Sequence, residues 1–201
     1  MKHGHIIGLI VGALLSLVVQ YLHLKTHGPY EASLERLVWG LSHHDYSRWA
    51  IFPALLILPG VSTFHDIQIA AQKRAGLWGF RLFFAGLVLA VIGQIWDYVL
   101  FDPWEHPMHG VGFMAQLLAI LLMTIGLPTW AFASLRNLTG WQRLIPVLWL
   151  LYISGLWFSI LSNEESWLYP RYGIDGGFLA DTAMSAAYLL MAFVLVKQVE
   201  R

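Results

Sequence analysis

The chain contains no cysteine, which removes disulfides, thiolate metal sites, iron–sulfur clusters and cysteine nucleophiles together. Charge is scarce as well. Only 12% of the 201 residues are Asp, Glu, Lys or Arg, whereas a soluble domain carries about 25%. The twelve basic and twelve acidic residues cancel, so no charge excess points to nucleic acid as a partner. No lysine lies in the middle of an apolar run, which argues against a retinal Schiff base. Repeats and low-complexity tracts are also missing, and a single domain is expected over residues 1–201.

What the chain has instead is apolar length, with 58% of its residues hydrophobic. A bilayer core about 30 Å thick needs roughly 20 apolar residues in a helix. Six stretches approach that length, at residues 6–24, 50–70, 77–101, 111–135, 141–161 and 177–196. The expected fold is therefore all-α, a polytopic integral membrane protein with a bundle of about six transmembrane helices. The first run follows Lys2 but is longer than a signal-peptide core of about 7–15 residues, and no A-x-A-like site follows it. It reads as a retained helix. Pro53 and Pro59 should bend the second run, because each removes a backbone donor.

Basic residues orient the bundle. Eight of them (Lys2, Lys73, Arg74, Arg81, Arg136, Arg143, Lys197 and Arg201) fall on one side of a six-span arrangement, against Lys25, Arg36, Arg48 and Arg171 on the other. Both termini are accordingly expected in the cytoplasm, with the plasma membrane as the compartment. Tryptophans agree with these boundaries. Trp39, Trp49, Trp96, Trp104 and Trp167 fall near the outer interface, and Trp78, Trp130 and Trp141 near the inner one, where amphipathic rings prefer to lie.

The longest loop, between the first two runs, has its own periodicity. Leu34, Leu37, Val38 and Leu41 recur at helical spacing while Glu31, Glu35 and Arg36 fall elsewhere on the wheel. This predicts an amphipathic interfacial helix in the first outer loop. In the first run, Gly4, Gly8, Gly12 and Ser16 recur every four residues on one face. Small residues at that spacing let two backbones approach closely. The ridge serves either an internal contact or another subunit, including a second copy of the chain. Membrane lipids are the remaining expected partner.

Ionisable residues within or beside a membrane are expensive, so each is a functional candidate. In the six-span arrangement most of them gather on the outer side: His23, His43, Asp97, Asp102, Glu105, His106, His109 and Asp181. The densest stretch, residues 96–109, holds no Lys or Arg to neutralise its carboxylates. Imidazole nitrogen and carboxylate oxygen together suit copper, zinc or iron. The expected ligands are His106, His109 and Asp97, joined by His23 and Asp181. Asp97, Asp102 and Glu105 are the candidate proton-transfer groups. Haem held between His23 and His109 is a variant of the same idea. His65 and Asp66 form a second polar site toward the cytoplasmic end of the second run, either a station for protons or a hydrogen-bond knot between helices.

Three functional classes fit these residues. A metal-dependent membrane enzyme, such as an oxidoreductase, or a metal-holding subunit uses the outer cluster. A non-catalytic assembly subunit uses the glycine ridge. A transporter or proton conductor uses the two polar sites as stations. Nothing in the sequence names a substrate.

Overall fold

A computed structural model describes residues 2–26, 41, 43–68, 73–101, 108–161 and 176–199. Among these residues nearly all are helical and none forms a strand. The elements are α1 (Lys2–Thr26), the short α2 (His43–Trp49), α3 (Ile51–Gln68), α4 (Arg74–Ile95), α5 (His109–Asn137), α6 (Leu144–Leu161) and α7 (Gly176–Val199). A π-helical turn, Trp96–Leu100, extends α4, and a 3-10 turn, Gly140–Arg143, leads into α6. The six long helices occupy the six apolar runs. Most of the expected interfacial helix, residues 31–40, lies outside the described residues.

Among the described residues four helices are long and apolar enough to cross a membrane: His3–Leu22, Arg74–Leu100, Gly110–Asn137 and Phe178–Val199. The other two, α3 and α6, have 18 residues each, which spans about 27 Å at 1.5 Å per residue. The bundle surface agrees with a lipid environment. Met114 is 63% exposed, Ile125 60% and Phe132 59%, an outward display of large apolar groups that water does not tolerate over an extended surface.

Neighbouring long helices run antiparallel. One end of the bundle, here the upper end, gathers the C-termini of α1, α4 and α6 with the N-termini of α3, α5 and α7. Between helices in lipid, packing replaces the hydrophobic drive, so small residues decide where backbones meet. Gly8 and Gly12 do this for α1. A Cβ on Gly8 would lie 2.6 Å from the Leu56 carbonyl oxygen, and one on Gly12 would lie 2.9 Å from that of Pro53. Gly60 returns the contact from α3 against Leu9 and the His5 carbonyl. The ridge is thus used internally at Gly8 and Gly12, while Gly4 has open space around it.

The tightest crossing joins α4 to α5. Gly79, Gly86 and Gly93 on α4 are seven residues apart, and so are Gly112, Ala119 and Gly126 on α5. The two rows meet in antiparallel order. A Cβ on Gly79 would stand 2.5 Å from the Trp130 nitrogen, one on Gly86 2.8 Å from the Ala119 oxygen, and one on Gly93 2.7 Å from the Gly112 oxygen. A seven-residue repeat keeps one seam facing its partner over many turns.

The lower half is filled by aromatic rings. Trp130 and Trp149 stack at 4.1 Å, with Phe64 edge-on to both at 6.4 and 6.3 Å. Trp130, expected at the inner interface, is instead fully buried, because Gly79 and Gly126 bring α4 against its backbone. Trp78 and Trp141 do sit at the surface, with Arg81 5.3 Å from one ring and Lys197 5.7 Å from the other. Such long cationic side chains reach for the headgroup level over aromatic faces.

Of the two prolines in α3, only Pro59 is interior; Pro53 falls in the first turn, where no intrahelical donor is needed. Beside Pro59 the Thr63 hydroxyl donates to the Pro59 carbonyl at 2.9 Å. That uses its single proton, so His5 Nδ1, 2.7 Å away, acts as the donor to Thr63 Oγ1.

Candidate functional site

All six long helices contribute to one cavity of about 160 Å³ in the upper half of the bundle. Its polar wall begins on α7, where Asp181, Ser185 and Tyr188 follow one another at i, i+4 and i+7 and so share a helix face. Tyr152 of α6 faces them. Ser16 and Gln20 of α1 and Gln94 of α4 complete the polar lining. Pro53 and Ile57 of α3, Leu87 of α4, and Met123 and Met184 supply apolar wall. Asp181 lies five residues into α7, about 7.5 Å below its upper end, and Tyr188 lies near mid-helix.

The local sequence explains the opening. Gly8 and Gly12 hold α1 against α3, and the face they share ends at Ser16, where the cavity starts. The carboxylate of Asp181 acts electrostatically on the hydroxyls of both Tyr152 and Tyr188. Ser185 is 1% exposed, and its hydroxyl makes no hydrogen bond among the described residues. A buried hydroxyl without a partner costs about 1–3 kcal/mol. Among the described residues no Lys, Arg or His lines the cavity.

A second buried carboxylate, Asp97, sits in the π-helical turn and is 2% exposed. Gln116 of α5 donates to its Oδ2 through Nε2 at 3.2 Å. Its other oxygen packs over Gly112, where a Cβ would collide with it. Trp96 Nε1 donates to the Met108 carbonyl at 2.9 Å and ties the turn to the start of α5. π-Helical turns inside or at the end of α-helices are frequent at functional sites.

The residues singled out in the sequence are dispersed. Asp181 lines the cavity, and Asp97 lies between α4 and α5. His109 opens α5, His23 lies in the last turns of α1 and His43 opens α2, but the side chains of these three, like all of Asp102, Glu105 and His106, fall outside the described residues. Among the described residues no three His, Asp or Glu side chains are grouped so as to hold a metal ion. His65 and Asp66 part company: His65 is buried with its ring stacked on Phe80 at 3.6 Å, whereas Asp66 is exposed. One turn below, Ser134 of α5 donates to Gln68 Oε1 at 3.3 Å. That bond ties α3 to α5, while the His65–Phe80 stack ties α3 to α4.

Tyr152, Tyr188, Ser185, Gln20 and Gln94 were not singled out in the sequence. The stripe from Asp181 through Ser185 to Tyr188 was a usable signal, since three polar groups at helical spacing inside an apolar run share one buried face. Comparison with protein families, with curated proteins and with solved structures gives no match, so the reading of this site rests on its own geometry.

Proposed function

We propose that the chain is a six-span integral membrane protein of the plasma membrane, with both termini cytoplasmic, that binds a small polar solute in the Asp181 cavity from the outer side. The observation carrying this reading is the convergence of six helices on a cavity lined by a carboxylate, two phenols, two amides and the Ser16 hydroxyl. Polar groups inside a membrane bundle are costly and face functional cavities. The excess of Lys and Arg at the lower end supports the orientation. Six crossings also use all six apolar runs, α3 and α6 included.

The chain's lack of cysteine makes a direct test simple. Ser16 lines the cavity and is partly exposed, and Ser16→Cys is nearly isosteric. In sealed vesicles with the outer side exposed, a small ethylammonium thiosulfonate should modify it at least about tenfold faster than Leu121→Cys, because a lipid-facing thiol stays protonated. Leu121 is 52% exposed on the bundle surface. Equal rates, or no reaction at position 16, would overturn the reading.

A second reading is favoured by Asp97, a buried carboxylate held in a π-helical turn beside the first turn of α5. In it, His106 and His109 with Asp97 hold copper, zinc or iron at the outer mouth, and the chain is a metal-dependent enzyme or a metal-holding subunit. Purified protein should then carry stoichiometric metal that the His106→Ala/His109→Ala variant lacks. Metal-free protein from metal-replete cells would remove this reading.

A further inference from the structure

The chain is neutral overall, but its charges are sorted along the sequence. Of the twelve carboxylates only Asp66 and Glu200 fall at or next to lower helix ends, beside eight of the twelve basic residues. Even with both carboxylates paired, six of those cations find no counter-charge in the lower segments. A basic excess of that size at the rim of an apolar bundle attracts the anionic headgroups of the membrane itself.

Two of the cations stand on a surface suited to one such headgroup. At the foot of α7, Lys197 Nζ is 4.6 Å from the Phe193 ring and 5.7 Å from the Trp141 ring. The two rings lie 5.4 Å apart, and both are exposed. They hold the ammonium at the edge of the apolar surface without neutralising it. Arg143, two residues after Trp141, donates through Nε to the Leu138 carbonyl at 2.9 Å. That bond uses one of the five guanidinium N–H donors and fixes the plane of the group, so the others are free for a phosphate oxygen. Among the described residues neither Lys197 nor Arg143 meets a carboxylate.

Above these cations the surface turns apolar. Leu144, Val147 and Leu151 share one face of α6, and all three are exposed. The stripe climbs about 10 Å from the basic end at 1.5 Å per residue. A charged foot below an apolar stripe matches a molecule with an anionic head and a hydrocarbon tail. A free phosphate would use the foot alone.

We infer that the foot of α6 and α7 is a binding site for an anionic phospholipid, its phosphate held by Lys197 and Arg143 and an acyl chain lying along Leu144, Val147 and Leu151. The inference requires the chain to lie in a bilayer, and it is independent of the Asp181 cavity and of which end faces the cytoplasm.

The test is thermal unfolding of the chain in uncharged detergent at fixed ionic strength, followed by tryptophan fluorescence. Phosphatidylglycerol is compared with phosphatidylcholine of the same acyl chains and with inorganic phosphate. Phosphatidylglycerol should raise Tm saturably, by on the order of 5 °C at a hundredfold excess over its apparent Kd. Lys197→Gln and Arg143→Gln should each weaken that affinity about fivefold, the worth of one basic residue at an anionic surface. Lys197→Arg keeps the charge and should bind like the parent. Lys73→Gln, at the foot of α4, is the control. It should change the affinity less than about twofold, because exposed charges beyond about 10 Å are largely screened. An equal rise with phosphatidylcholine would overturn the need for an anion, and an equal rise with inorganic phosphate would overturn the lipid as its source. Equal losses at Lys73→Gln and Lys197→Gln would replace the site by charge spread over the lower end. No rise with phosphatidylglycerol would remove the inference and leave the cavity reading untouched.

Discussion

Replacing Gly126 by valine is expected to lower the stability of the bundle by about 3 kcal/mol or more, the upper range for overpacking a filled site. The reason is the nature of the atoms it would strike. A Cβ at this position meets the Phe83 amide nitrogen, the Gly79 oxygen at 2.7 Å and the Leu82 carbonyl carbon at 2.9 Å. All three are backbone, so no rotamer change relieves the clash and the two helices must separate. Separation spreads along the seam, because Gly86 against Ala119 and Gly93 against Gly112 depend on the same interaxial distance. Trp130, packed beside that crossing, would lose part of its stack with Trp149. In thermal melts of detergent-purified protein the loss corresponds to a Tm drop of about 6–12 °C for a chain of this size. Gly4→Ala and Gly110→Ala provide the control. Neither position has a neighbour within 4 Å of the added Cβ, and each should stay within about 0.5 kcal/mol of the parent. If Gly126→Val melts with these controls, the seam is not what holds α4 to α5.

The positions of the long helices were legible because apolar length is a one-dimensional signal. The expected run 177–196 corresponds to Gly176–Val199, and 111–135 to His109–Asn137. Helices α1 and α5 run further because polar residues such as Lys2 and Asn137 continue the backbone pattern beyond the apolar core, whereas α3 and α6 stay within their runs. The small-residue face of α1 was legible too, since it repeats every four residues. The seam between α4 and α5 was not, because its spacing is seven and half of it lies on the other helix.

The candidate site was legible only through Asp181, a carboxylate inside an apolar run. Its companions are single polar residues on different helices, and only the fold reveals that Gln20, Gln94 and Tyr152 face one space. His65 and Asp66 show the opposite error. Adjacent in sequence, they are about 100° apart on a helix, so one is buried on Phe80 and the other faces outward. The stretch 102–107, with Asp102, Glu105 and His106, lies outside the described residues, and its role stays with the second reading above.

Sidedness carries the account, because an outward-opening cavity requires that the chain cross the membrane as a six-helix bundle with its upper end outside. Single cysteines placed in the cysteine-free chain report this directly. Trp49 and Met108, 55% and 41% exposed, lie at the upper end, while Lys73 and Thr139 are exposed at the lower end. The pair Trp49 and Lys73 brackets α3, one of the two helices whose length alone falls short of the membrane core. Met108 and Thr139 bracket α5, whose 29 residues span it comfortably. The measurement is labelling by an impermeant maleimide in intact cells, before and after permeabilisation. The account predicts that Trp49→Cys and Met108→Cys label in intact cells, whereas Lys73→Cys and Thr139→Cys label only once the membrane is opened. Labelling of Trp49→Cys and Lys73→Cys from the same side would contradict a crossing by α3, and the inverse pattern throughout would turn the Asp181 cavity toward the cytoplasm.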